Sequence, residues 1–132
     1  MSMKIQAGVV GATGYAGAEL CRILTGHPGA ELAAVSSVSF EGKRLSEIYP
    51  SYYQMCEPVC GKQEEVVEKS DVIFAALPHG LSQELAAECD AKGKVFIDLG
   101  ADFRLENEEE YKEWYGNSFL DPALHEKAVY GL

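Results

Sequence analysis

Three glycines at three-residue intervals, Gly11, Gly14 and Gly17, fall in the run Gly11-Ala12-Thr13-Gly14-Tyr15-Ala16-Gly17. The run follows an apolar stretch, Ile5 to Val10, and opens a helical pattern. The chemistry available to such a turn belongs to its backbone. Glycines let the main chain turn sharply and come close to a ligand, and the N–H groups at a helix start point at an anion. A strand, a glycine turn and a helix start in that order suit the pyrophosphate of a dinucleotide. Gly11 would make the tight turn, with Thr13, Gly14, Tyr15 and Ala16 reaching the pyrophosphate and Gly17 allowing the helix to pack closely on the sheet. The spacing is G-x-x-G-x-x-G rather than G-x-G-x-x-G, so its position between strand and helix carries most of the weight.

Other residues sharpen the ligand. The acidic residue that usually binds an adenosine ribose stands about 20 residues on, at the end of the second strand. Glu31 has roughly that count but begins the strand, and Ser36 and Ser37 end it, followed by Lys43 and Arg44. Hydroxyls and cations there suit a 2′-phosphate, so Ser36, Ser37 and Lys43 point to NADP(H). Solvated loop cations are the alternative for Lys43 and Arg44. Leu77-Pro78-His79-Gly80 follows a buried strand, which would bring Pro78 and His79 to the nicotinamide end. His79 could equally do no more than tie its loop together. Arg104, after the strand ending in Asp98-Leu99, would grip a phosphate or carboxylate at two points, or else pair with Asp98 or Asp102. His27 and His125 read as structural or surface residues. The acidic run around Glu108, Glu109 and Glu110 reads as a solvated helix start matched to its dipole. Cys21, Cys56, Cys60 and Cys89 include one close pair and no second, so no zinc site is expected, and none has a context that would activate it.

These residues need a scaffold, and the pattern supplies one. Strands are expected over Lys4–Val10, Glu31–Val35, Val72–Leu77 and Val95–Leu99, with a short one near Pro58–Cys60. Helices are expected over Tyr15–Thr25, Gln63–Ser70, Leu81–Ala91 and Asn107–Tyr115, with a helical turn near Leu45–Ile48. Leu81, Leu85, Ala86 and Cys89 should face inward. So should Tyr111, Trp114 and Tyr115, against the sheet. Alternating strands and helices imply an α/β fold, a doubly wound parallel sheet of Rossmann type. The tail Ala128-Val129-Tyr130-Gly131-Leu132 reads as the start of another element, which suggests a piece of a larger protein.

With 132 residues, 47% of them hydrophobic, the chain has material for one domain with a core. Its net charge of −10 disfavours nucleic acid and anionic membranes as partners. No apolar run approaches a membrane span and no signal-peptide core follows Met1-Ser2-Met3-Lys4, so the cytoplasm is the expected location.

Taken in order, several segments resemble one family. They are Gly11 to Leu20, His27-Pro28, Ala76-Leu77-Pro78-His79-Gly80-Leu81-Ser82, Ile97 to Leu105 and Val129-Tyr130-Gly131-Leu132. Together they resemble the N-acetyl-gamma-glutamyl-phosphate reductases, NADPH-dependent enzymes of arginine biosynthesis within the semialdehyde dehydrogenase superfamily. The resemblance implies an acyl-phosphate substrate attacked by a cysteine thiolate, loss of phosphate, and hydride reduction of the thioester to an aldehyde. It implies that Gly11 to Gly17 hold the cofactor and that Arg104 binds substrate phosphate. The family's nucleophile lies in an Asn-Pro-Gly-Cys segment that this sequence lacks. The resemblance therefore implies a cofactor domain over residues 1–132 with no catalytic residue of its own. The last strand or strands, the catalytic part and the dimer-forming domain of a homo-oligomer would lie elsewhere in the parent protein. A stand-alone NADP(H)-binding module, an aspartate-semialdehyde dehydrogenase and a lysine-pathway relative are the alternatives.

Overall fold

A computed structural model of the chain describes residues 4–129 other than 79, 101, 106 and 117. Its elements are β1 (Ile5–Val10), α1 (Tyr15–Thr25), β2 (Ala30–Ser36), α2 (Leu45–Ile48), a 3-10 turn (Pro50–Tyr52) and β3 (Cys60–Gly61). They continue as α3 (Gln63–Lys69), β4 (Val72–Ala75), α4 (Ser82–Ala91), β5 (Val95–Asp98), α5 (Glu108–Tyr115) and α6 (Pro122–Lys127). The five strands form one parallel sheet in the order β3-β2-β1-β4-β5. The expected doubly wound sheet is therefore present.

Strand position in the sheet explains strand composition. Central β1 is buried on both faces from Ala7 to Val10, as a strand covered by helices on both sides must be. One buried cluster joins Val9, Cys21, Leu24, Val35, Leu45 and Cys60 under α1 and α2. The other joins Val10, Val66, Val67, Ile73, Leu85 and Cys89 under α3 and α4. Edge strand β5 alternates instead, with Val95 and Ile97 exposed and Phe96 half-buried. Between β5, α4 and α6 runs a groove of about 540 Å³ lined in part by Phe96, Ile97, Lys94, Arg104 and Lys127.

Two expectations need correction. Leu81 precedes α4 and is exposed, because the helix starts at Ser82 and buries Ser82 and Gln83 at its first turn. Trp114 is 74% exposed. Helix α5 packs through Tyr111, whose ring lies 5.6 Å from Tyr115 and 5.5 Å from Phe119, and this leaves Trp114 on the solvent side. On α1 the buried face is Gly17, Ala18, Cys21 and Leu24, while Ala16 and Ile23 are exposed.

Helix α6 was not expected from the pattern, although Asp121-Pro122 announces it. The Asp121 carboxylate accepts from Leu124 N at 3.3 Å, and Pro122 occupies the first helical position, where its missing N–H costs nothing. The element expected from Ala128 onward lies mostly outside the described residues. Among the described residues, no helix is long and apolar enough to cross a membrane.

Ile73 lies at the centre of the cluster under α3 and α4 and is fully buried. Ile73→Ala should lower unfolding stability by about 2–5 kcal/mol, read from urea denaturation.

Candidate functional site

The chain runs outward from β1 to β2 and β3, then crosses back to place β4 on the other side of β1. The direction of winding reverses between β1 and β4, and in open α/β sheets such a reversal is where ligands bind, at the carboxyl ends of the strands. The glycine turn after β1 leads away from that point, and so does the chain after β4 at Ala76 to Pro78.

The first turn is fixed by backbone bonds. Gly11 N and Ala12 N both donate to Ser36 O, at 3.1 and 3.0 Å, which ties the end of β1 to the end of β2. Gly11 has φ +82°, a conformation that side chains other than glycine rarely adopt. A Cβ at Gly17 would stand 2.1 Å from Gly11 O, so the first turn of α1 lies directly on the loop. Gly14 differs. Its backbone is extended, and the nearest atom to an added Cβ is Gly11 O at 3.8 Å. Nothing within the described protein requires glycine at position 14. The space over it faces outward, and Gly14 and Tyr15 are exposed.

Helix α1 begins there with no side-chain cap and no acidic residue in its first turn. The first N–H groups of a helix lack intrahelical acceptors and form the positive end of its dipole. The start of α1 thus presents N–H groups and partial positive charge around a bare glycine, at the switch point. Such a helix start favours an anion.

The other predicted residues are distributed along the same edge. Thr13 Oγ1 and Ser37 Oγ lie 2.7 Å apart, Phe40 N donates to Ser37 Oγ at 3.3 Å, and Tyr49 O–H donates to Thr13 O at 2.7 Å. Ser36 and Ser37 are buried, so both contribute first by shaping the turn. Lys43 is exposed on the loop between β2 and α2. Pro78 is exposed after β4, and His79 lies outside the described residues. Arg104 is exposed beyond the end of β5 and lines the groove there. The strand before it, β5, stands about two strand spacings, or roughly 10 Å, from β1.

A second set of residues binds the turns after β4 and β5 together, and sequence reasoning did not find it. Asp102 is fully buried. Its Oδ1 accepts from Gly80 N at 2.7 Å and Tyr111 O–H at 2.5 Å, and its Oδ2 from Ser82 N at 3.1 Å and Ser82 O–H at 2.6 Å. Burial opposes the charge on Asp102, but these four donors outweigh it and hold the carboxyl below its ordinary value. Asp98, by contrast, is pushed up by burial, with the Asp102 charge adding to the effect. His125 Nε2 lies 2.7 Å from Asp102 O, and its ring stacks on Phe119 at 3.6 Å, which joins α6 to the same turn. The structural reading of His125 holds. Asp102 stands among other charges in the sequence, with Asp98 before it and Arg104 after it, so no local signal sets it apart.

All four cysteines are buried. Burial pushes the Cys89 thiol up to about 11 and raises Cys21, Cys56 and Cys60 as well. A raised thiol is a poor nucleophile near neutral pH. Among the described residues, no group of three or more His, Cys, Asp or Glu side chains is placed to hold a metal ion.

Residues 6–132 match the family model described as semialdehyde dehydrogenase, NAD binding domain. The N-acetyl-gamma-glutamyl-phosphate reductase of Clostridium botulinum (strain Eklund 17B / Type B) is 53% identical over 128 residues, covering 97% of this chain and 37% of that protein. The protein of the same name from Clostridium beijerinckii is 52% identical over the same shares. The chain thus spans little more than a third of the curated relatives it matches. The aspartate semialdehyde dehydrogenase of Candida albicans, solved with NADP, superposes with a TM-score of 0.64 at 23% identity. That match covers 80% of this chain and 32% of the other, and at this identity it speaks for the fold alone.

The two glycines of the turn should separate in stability. Gly17→Ala should cost about 1–3 kcal/mol, because the helix must move off the loop. Gly14→Ala should cost less than about 1 kcal/mol, the difference between the two residues at a helix N-cap. Thermal unfolding of the two variants checks the order.

Proposed function

The chain belongs to the family of semialdehyde dehydrogenase NAD-binding domains, and from that premise we propose that it is the NADP(H)-binding domain of an N-acetyl-gamma-glutamyl-phosphate reductase. The observation that carries the cofactor reading is the bare, exposed Gly14 at the uncapped start of α1, where a Cβ would occupy space that the protein leaves open. Gly11, Thr13, Gly14, Tyr15, Ala16 and Gly17 form the pyrophosphate cradle. The first N–H groups of α1 hold the anion, and the Ser36 carbonyl keeps the turn in place. Ser36 and Ser37 leave the end of β2 free of a carboxylate, and Lys43 supplies a cation to the 2′-phosphate. Pro78 and His79 border the nicotinamide end.

NADPH, when bound, supplies a hydride. In the whole protein we infer reduction of N-acetyl-gamma-glutamyl phosphate to the semialdehyde with release of phosphate. The reading rests on two relatives above 50% identity that carry that name. Arg104, exposed past the carboxyl end of β5, is proposed to grip the substrate phosphate. The four buried, raised thiols fit a division of labour in which the nucleophile is supplied from outside residues 1–132. Cytoplasmic location and oligomeric assembly of the whole protein belong to the same proposal.

Titration of the chain with NADPH and with NADH, followed by nucleotide fluorescence, tests the cofactor reading. NADPH should bind more tightly, and Gly14→Ala should weaken it by about tenfold or more while the fold persists. Equal affinity for NADH would remove the role given to Ser36, Ser37 and Lys43. Undiminished binding by Gly14→Ala would remove the cradle.

A further inference from the structure

The Ser82 hydroxyl stands 2.7 Å from Asp98 Oδ2 and 2.6 Å from Asp102 Oδ2. A serine hydroxyl has one proton and can donate it in one direction. The other contact would set oxygen lone pairs against each other at hydrogen-bond distance, unless that carboxyl brings a proton of its own. The surrounding donors decide which carboxyl does. Asp102 already accepts from Gly80 N, Ser82 N and Tyr111 O–H, so it is the carboxylate. Asp98 accepts from Gly100 N at 2.8 Å, and that bond falls on Oδ1. Among the described contacts, Asp98 Oδ2 meets only the serine.

We propose that Asp98 and Asp102 hold one proton between them through Ser82, carried on Asp98 Oδ2, and that this shared proton positions the turns after β4 and β5 against each other. Asp98 O–H donates to Ser82 Oγ, and Ser82 O–H donates to Asp102 Oδ2. Every contact in the chain then has one donor and one acceptor. The unit joins the end of β5, the start of α4 and, through Tyr111, α5. It sets Gly80 and Ser82 on the buried Asp102. Asp98 and Asp102 are thus positioning residues. The inference concerns only side chains of this chain and stands whether or not the cofactor reading does.

The charges around the pair are mixed. Asp98 shares its groove with Arg104, Lys94, Lys127 and Asp90. Arg104 favours its ionised form, whereas burial, the largest influence, and the charge of Asp102 oppose it. Lys127 is paired with Asp90 at 2.8 Å. Tyr111 and the imidazole of His125 face Asp102 from α5 and α6. The two carboxyls pull stability in opposite directions with pH. For Asp98, raised in the folded state, the contribution is complete below the free-carboxyl value and is lost as pH rises through its folded value. For Asp102, lowered in the folded state, it is complete above the free-carboxyl value and is lost as pH falls through its folded value.

The test is a pH titration of carboxyl carbons in the 13C-aspartate-labelled chain, assigned with Asp98→Asn and Asp102→Asn, together with melting temperatures. In the unmodified chain Asp98 should take up its proton at higher pH than the exposed aspartates, and Asp102 at lower pH. Asp98→Asn puts an N–H where the shared proton sits. It should keep the melting temperature within about 3 °C near neutral pH and abolish the share of stability lost as pH rises. Asp102→Asn turns an amide N–H toward groups that are already donors, and it should lower the melting temperature by about 10 °C or prevent folding. An Asp98 that titrates with the exposed aspartates would overturn the proposal. So would an Asp98→Asn chain as destabilised as Asp102→Asn, or one that fails to fold.

Discussion

The site depends on one backbone carbonyl. Ser36 O takes the N–H groups of both Gly11 and Ala12, and so bends the chain at the end of β1 across the end of β2. That bend sets Gly11 in the left-handed region and places the start of α1 at the switch point. Gly17 then lets α1 come down until only a hydrogen fits between it and the Gly11 carbonyl. Once the turn is pinned, the proposed binding of an anion at the helix start needs no further side chain. A scaffold bond between two strands does the positioning, and the groups presented there are main-chain N–H groups whose direction the helix dictates.

The other half of the carboxyl edge is organised by a buried charge rather than by the backbone. Asp102 collects donors from the turn after β4, the start of α4 and α5. A carboxylate without solvent is tolerated only where such donors replace water. The arrangement makes the loops beyond β4 and β5 one connected body, and α6 joins it through His125. This matters for a fold whose β5 edge is open and whose last helices contribute little to the main core. The order at that edge comes from polar bonds, whereas the order around β1 comes from packing on both faces of the sheet.

Much of this was legible in the residues. The Ile5–Val10 run, the glycine spacing and Gly26 past the helix end placed β1 and α1, because strand burial and helix termination are local properties of sequence. The apolar run Val72 to Leu77 was readable as a buried strand for the same reason, although β4 itself ends at Ala75. The misjudged residues have two causes. Leu81 lies one residue before α4, where helix boundaries are least legible, and Trp114 sits at plausible helical spacing, but whether a helix face is covered depends on which neighbour lies over it. Helix α5 lies on Phe119 and His125, not on the sheet. The role of Asp102 was illegible because the four bonds it accepts come from three residues, 9 to 22 positions away.

By itself the sequence determined the succession of strands and helices, the parallel α/β class and the glycine turn between β1 and α1. Each follows from hydrophobic period, glycine placement and helix-end chemistry within a few residues of the chain. Only the tertiary structure decided that Gly14 has open space above it while Gly17 has none, since the two are indistinguishable in spacing and differ only in what packs against them. It also decided that Ser37 is committed to Thr13 and that two aspartates meet on one serine. Such contacts join distant segments, and long-range proximity is a property of how the sheet is wound, not of any local pattern along the chain.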